Sequence, residues 1–220
     1  AVASTDSGDT AALRRLYAAT GRGQGNCLAD TQWGNTSSDP CDDMWFGLWF
    51  RDGAFGCSGQ RGDPVRRVLA ISLSSCSLSG RLDAVFTSDE SEQLSNLQAL
   101  EMGRNMFDGP IPDGLSHLGR LSFLNLELNK LSGPIPDSLG QLPQLTTLVL
   151  VLNQLSGPIP DSMAQLKGLE LLYLGGNQLS GPIPIWLGEL SQLTVLSLGQ
   201  NQLSGPIPDN LAQLGHLVQI

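Results

Sequence analysis

Asn105, Asn129, Asn153, Asn177 and Asn201 fall 24 residues apart without slippage. A fixed period of this size means a stack of like units in which each packs only on its neighbours. The text between the asparagines repeats as LSGPIPDSLGQLPQLTTLVLVLNQ, LSGPIPDSMAQLKGLELLYLGGNQ and LSGPIPIWLGELSQLTVLSLGQNQ. The period therefore dictates a solenoid. It does not dictate what the solenoid binds.

The repeat is numbered here from its first leucine, at Leu97, Leu121, Leu145, Leu169 and Leu193, with Leu217 opening a truncated copy. Positions 4 and 6 (Leu124 and Leu126, Leu148 and Leu150) alternate with variable residues, the period-2 mark of a strand with one buried face. Stacked, these strands form a parallel sheet, and parallel pairing requires the long return path that the rest of each repeat supplies. The position-9 asparagines carry both donors and an acceptor, so a column of them can satisfy turn groups that would otherwise be buried unpaired. Gly at position 13 and Pro at position 16, as in Gly157 and Pro160, shape an extended return. Leucines at positions 19 and 22 fill the outer core.

The pattern L-x-x-L-x-L-x-x-N-x-L-x-G-x-I-P, with L-S-G-P-I-P after the asparagine, resembles the plant-type leucine-rich repeats. Those form the ectodomains of plant receptor kinases and the polygalacturonase-inhibiting proteins. The resemblance covers roughly residues 9–220. It implies an α/β repeat, a right-handed solenoid with a concave parallel β-sheet, an added short strand beside that sheet, and a cysteine-containing N-terminal cap. It implies no cofactor and no catalysis, and a family that binds proteins, peptides and glycans alike.

Residues 1–67 are expected to form the cap and residues 68–220 about seven repeats. A helix over residues 10–20 with Leu13, Leu16 and Tyr17 on one face precedes a loop that Trp33 pins. DPCDDMWFGLWF followed by RRVLAISL resembles the family's cap motif, with Trp45, Gly47 and Leu48 matching; its bulk would cover the open end of the solenoid. Phe50 stands where that motif has its second cysteine. Cys27, Cys41, Cys57 and Cys76 all lie in the first third of the chain and allow three disulfide connectivities. Cys41–Cys57 is the first choice. Cys76 holds the asparagine position of repeat one, and is either a reduced member of that column or bridged to Cys27. The spacings contain no C-x-x-C pair, so no metal site is expected. Asn35-Thr36-Ser37 is a glycosylation sequon.

A net charge of −9 argues against nucleic acid and anionic membranes as partners. No run of 18 apolar residues spans a membrane. The cysteines and processed-looking start suggest a secreted, cell-surface or lumenal protein.

Positions 3, 5, 7 and 8 are expected to face out of the concave sheet, with Phe123, Leu128, Val149, Val151, Leu152, Leu171 and Tyr173 making one apolar patch. Such patches mark interaction surfaces, although Val and Tyr also suit strands without any ligand. Glu101, Asn125 and Glu127 lie beside it; an open face gives two carboxylates no pocket for chemistry, and no catalytic residue is assigned. In the fifth repeat, Ile185-Trp186 replaces the recurrent Asp, suggesting either a second contact surface or packing on the solenoid itself. The chain stops inside a strand, and an uncapped end calls for further chain or an assembly partner to cover it. The leading expectation is a recognition module binding protein, peptide or glycan on the concave face. The rival is a structural subunit docked through its C-terminal end and outer surface.

Overall fold

The computed structural model describes residue 16, residues 68–87 and residues 94–218. Two parallel six-stranded sheets run the length of the described stack. The principal sheet is built from β1 (Ala70–Ser72), β3 (Ala99–Glu101), β5 (Phe123–Asn125), β7 (Thr147–Val149), β9 (Leu171–Tyr173) and β11 (Val195–Ser197), in that order. The second contains β2 (Ser79–Arg81), β4 (Met106–Gly109), β6 (Lys130–Gly133), β8 (Gln154–Gly157), β10 (Gln178–Pro182) and β12 (Gln202–Ser204). This is the extra strand that the resemblance implied. The return side carries short 3-10 helices, η1 (Leu82–Ala84), η2 (Asp113–His117), η3 (Asp137–Gln141), η4 (Asp161–Gln165), η5 (Ile185–Glu189) and η6 (Asp209–Gln213). The α part of the expected α/β repeat is thus realised as 3-10 turns: after Pro136, Pro160 and Pro184, held extended, only five residues separate the strand return from the next leucine.

Register follows the repeat period. Leu100, Leu124, Leu148, Leu172 and Leu196 are direct partners along the principal sheet, and all are fully buried. Each is worth about 2–3 kcal/mol of burial. Leu16, in a helical turn, is buried in the same core. Its neighbours in the expected 10–20 helix, Trp33, the aromatic cap motif, Asn35, Cys27, Cys41 and Cys57 lie outside the described residues. Cys76 is buried at the asparagine position and disulfide-bonded, with its partner outside the described residues, so the reduced alternative is corrected.

The asparagines bind adjacent repeats together. Asn153 Oδ1 accepts from the Leu131 N–H of the preceding repeat at 3.0 Å. Its Nδ2 donates to Leu126 O of that repeat (3.0 Å) and to Leu150 O of its own (3.1 Å). Asn105, Asn129, Asn177 and Asn201 repeat the arrangement. A repeat's core is closed by its successor: Ile111, Ile135 and Ile159 are at most 3% exposed, whereas the equivalent Ile207 of the last described coil is 72% exposed.

Close approach on the return side demands glycine at particular points. A Cβ at Gly140 would lie 2.3 Å from Ser162 O, and one at Gly188 2.5 Å from Asn210 O. By contrast a Cβ at Gly168 meets nothing nearer than Leu145 O at 4.0 Å. Gly140→Ala should therefore cost about 1–3 kcal/mol by pushing η3 and η4 apart, and Gly168→Ala close to nothing. Equilibrium urea unfolding of the two variants reads this directly.

A second comparison isolates the asparagine column. Asn153→Ala strands a buried N–H and a buried carbonyl and is expected to cost about 2–4 kcal/mol. Asn201→Ala, whose partners are only partly buried, should cost clearly less. Equal midpoint shifts for the two would contradict the assignment.

Candidate functional site

The outward residues of the principal sheet form columns because the register aligns them: Ser72, Glu101, Asn125, Val149, Tyr173 and Ser197 are successive partners, as are Ala99, Phe123, Thr147 and Leu171. The register lays the expected patch residues across neighbouring strands, with buried Thr147 between Phe123 and Leu171. Phe123, Val149, Val151, Leu171 and Tyr173 are half-buried, and Leu128 and Leu152 are exposed, at 36% and 47%. Two expectations about orientation are corrected. Thr147 and Val195, and also Ala70, are buried although at outward position 3. Gly103 is buried under Glu127, whose Cγ would lie 2.8 Å from a Cβ there.

The polar members are held by local bonds. Glu127 Oε1 accepts from Arg104 Nε at 3.0 Å, and Glu101 Oε2 from the Ser72 hydroxyl at 3.1 Å. Asn125 Oδ1 accepts from the Glu127 N–H. These residues rim the patch on its N-terminal side. Elsewhere, the Asp83 carboxyl is held below its ordinary value by its hydrogen bond from Arg81, on an exposed part of η1. Among the described residues no cluster of His, Cys, Asp and Glu is placed to hold a metal ion, and no helix is long and apolar enough to cross a membrane.

What the sequence pattern did not reveal is the backbone at position 8. Ser75, Arg104, Leu128, Leu152 and Gln200 all have φ between 50° and 61°, and Gly176 has φ 66°. Every repeat turns off its strand through the left-handed region, which costs a residue with a Cβ about 1–2 kcal/mol. Polar residues or glycine suit such a turn; Leu128 and Leu152 are large, apolar and exposed. Leu152 is accommodated because its neighbour is glycine: a Cβ at Gly176 would lie 2.7 Å from Leu152 Cδ2. Beyond it, Gly175 is buried, while Gly199 is exposed and a Cβ there would meet nothing within 4 Å. The site thus has exposed or half-buried Leu128, Val151 and Leu152 in neighbouring repeats, Tyr173 on the next strand, and the open Gly199 on the C-terminal side. The glycines at positions 7 and 8 were visible in the sequence; their meaning required the backbone angles.

Ile185 and Trp186 separate. Ile185 is 73% exposed, but Trp186 is only 6% exposed, and its Nε1 donates to Asp161 Oδ1 of the preceding repeat at 2.9 Å. Trp186 is therefore a packing residue and not part of a contact surface.

The Leucine Rich Repeat family pattern matches residues 96–118, 120–142, 168–190 and 192–214. The crystal structure of a Pollen Receptor Kinase 3 is 31% identical, with a TM-score of 0.75 over 94% of this chain and 90% of that one. The chain belongs to the leucine-rich-repeat family, in its plant receptor-ectodomain branch. The ectodomain of the membrane receptor kinase GASSHO1/SCHENGEN3 from Arabidopsis thaliana, solved with CASPARIAN STRIP INTEGRITY FACTOR 2, is 35% identical with a TM-score of 0.65 over 68% of this chain. This chain spans 17% of that one. The Arabidopsis receptor kinase HAESA ectodomain, solved with an N-terminally extended IDA peptide hormone, is 28% identical with a TM-score of 0.68 over 96% of this chain and 36% of that one. No curated protein sequence matches. The fold is that of a leucine-rich-repeat ectodomain.

The position-8 leucines give a test that needs no ligand. Leu152→Gly removes left-handed strain but adds unfolded-state entropy, about 1–2 against 0.5–1 kcal/mol. Stability should hold or rise by up to about 1 kcal/mol, while the buried neighbour Leu148→Ala loses about 2–5 kcal/mol. Thermal unfolding of both would show whether Leu152 is retained at the fold's expense.

Proposed function

We propose that the chain is an extracellular recognition module, secreted or at a cell surface, that takes an extended peptide or peptide-like segment of a protein on the outward face of the principal sheet. The observation that carries this reading is the pair Leu128 and Leu152: two exposed apolar side chains at a backbone position that disfavours them, adjacent in the stack, and flanked by half-buried Val149, Val151, Leu171 and Tyr173. Strained, exposed apolar residues are retained where a partner covers them. The open Gly199 on the C-terminal side gives an incoming backbone room to approach and supports a thin, extended ligand over a bulky domain. Tyr173, amphipathic and low in rotamer entropy, suits an anchoring role. The rim of Glu101, Asn125 and Glu127 with Arg104 would set orientation through polar contacts. HAESA, solved with a peptide hormone, provides a precedent for ligand class within the family, and the ligand of this chain is its own.

Peptides selected from a random display library on the purified chain test the assignment. Selected peptides should lose at least tenfold in affinity for a Val151→Asp, Tyr173→Ala variant whose unfolding midpoint is unchanged. Selected peptides that bound this variant as tightly as the parent chain would place the recognition surface elsewhere.

A further inference from the structure

The outer flank of the solenoid carries a second surface that the recognition face does not use. A groove of about 590 Å³ crosses the Gly-Pro-Ile-Pro returns of three successive repeats. Pro134, Pro158 and Pro182 stand along it, Asp137 and Asp161 line it, and Ile185 lies at its C-terminal end. Proline contributes no N–H, so the prolines make the groove poor in donors, and its charged groups are carboxylates.

The two carboxylates are positioned by a ladder between repeats. The Ser138 hydroxyl donates to Asp113 Oδ1 at 2.8 Å, and the Ser162 hydroxyl to Asp137 Oδ1 at 3.1 Å. In the fifth repeat the donor is the Trp186 indole, which takes the serine position and bonds Asp161 Oδ1. Each aspartate therefore has one oxygen tied into the solenoid and stands at an exposed position. The ladder stops there. Ile185 stands at the next aspartate position, and the Asn210 amide donates to its backbone carbonyl instead. No basic residue offsets the column: from residue 131 to the end of the chain Lys167 is the sole Lys or Arg, and its ammonium is paired with Glu189 at 3.1 Å.

We infer that this groove docks an extended, arginine-bearing segment of a partner protein, with guanidinium groups at Asp137 and Asp161 and an apolar residue against Ile185. Charge complementarity selects the occupant. An acceptor-rich, acidic channel repels anionic ligands, and a second copy of a chain with net charge −9 is disfavoured for the same reason. Arginine suits it better than lysine because a planar, weakly hydrated guanidinium can lie on a Pro and Ile floor while it reaches a carboxylate. The break from Asp161 to Ile185 gives the groove a direction, acidic at one end and apolar at the other.

The probe is a capped, fluorescent Arg-Thr-Arg-Thr-Leu peptide, compared with Glu-Thr-Glu-Thr-Leu and Arg-Thr-Arg-Thr-Ser. The full chain should bind the first saturably, with amide shifts at Ile135, Asp137, Ile159, Asp161, Ile183 and Ile185, and with affinity that falls as salt is raised. Asp137→Asn with Asp161→Asn keeps the Oδ1 acceptors for Ser162 and Trp186, so the fold is retained, and should weaken binding at least tenfold. Ile185→Ser should weaken the Leu-ended peptide and leave the Ser-ended one unchanged. The Val151→Asp, Tyr173→Ala variant should bind the probe normally, which separates this groove from the principal-sheet site. Equal binding of the Glu peptide, or undiminished affinity of the double-Asn variant, would overturn the inference. So would a dimer in light scattering that Ile185→Asp dissolves, because a second copy would then be the occupant.

Discussion

The solenoid depends on one side-chain amide used in the same way in every repeat. A parallel stack with three-residue strands leaves many turn N–H and C=O groups that the sheet cannot pair, and each would be buried once the next repeat is laid on top. The asparagine column resolves this because a single amide offers an acceptor and two donors. Asn129, for example, accepts from Phe107 N–H of the repeat before it and donates both to Met102 O of that repeat and to Leu126 O of its own. The same bonds that satisfy a turn also join it to its neighbour. Local structure and long-range packing are thereby one interaction, and the 24-residue period cannot slip without breaking it.

That constraint also shapes what the molecule can present. To bring the asparagine inward at position 9, the chain turns through the left-handed region at position 8, so every repeat exposes a residue on the principal-sheet face from a strained backbone. The fold is indifferent to that side chain provided it is small or polar. Leu128 and Leu152 are neither, and they fall in consecutive repeats beside Tyr173 and a run of glycines. A physical cost that the fold does not require, concentrated in one place, is a better indicator of function than apolar character alone.

Much of this was legible in the sequence for physical reasons. Alternating leucines identified the principal strands, since period 2 has one structural meaning, and the asparagine period gave the register. The outward columns from Glu101 to Tyr173 followed at once. Other features were not legible because they depend on geometry that residue type does not encode. Thr147 and Val195 alternate like their exposed counterparts but are buried. The left-handed angle is invisible when the residue adopting it is leucine. Trp186 could be read from the sequence as a contact residue or as packing on the solenoid; only its bond to Asp161 shows that it replaces a serine hydroxyl as donor.

The substitution at Trp186 shows how a repeat can change its surface without losing its interior. Serine at that position donates one hydrogen bond and buries almost nothing, whereas the indole donates the same bond and fills the space between η4 and η5. Of the two, η4 carries Ala164 where η3 and η5 have Gly140 and Gly188, whose missing Cβ atoms permit tight approach to the following repeat. A larger spacer and a larger filler arrive together, and they compensate. Once Trp186 and Asn210 hold the junction, the aspartate at position 17 is no longer needed as an acceptor for the next repeat, and Ile185 can stand there exposed. The solenoid's redundancy is what frees that position: with the asparagine column carrying the register, the outer ladder can be broken at one rung without loss of the stack.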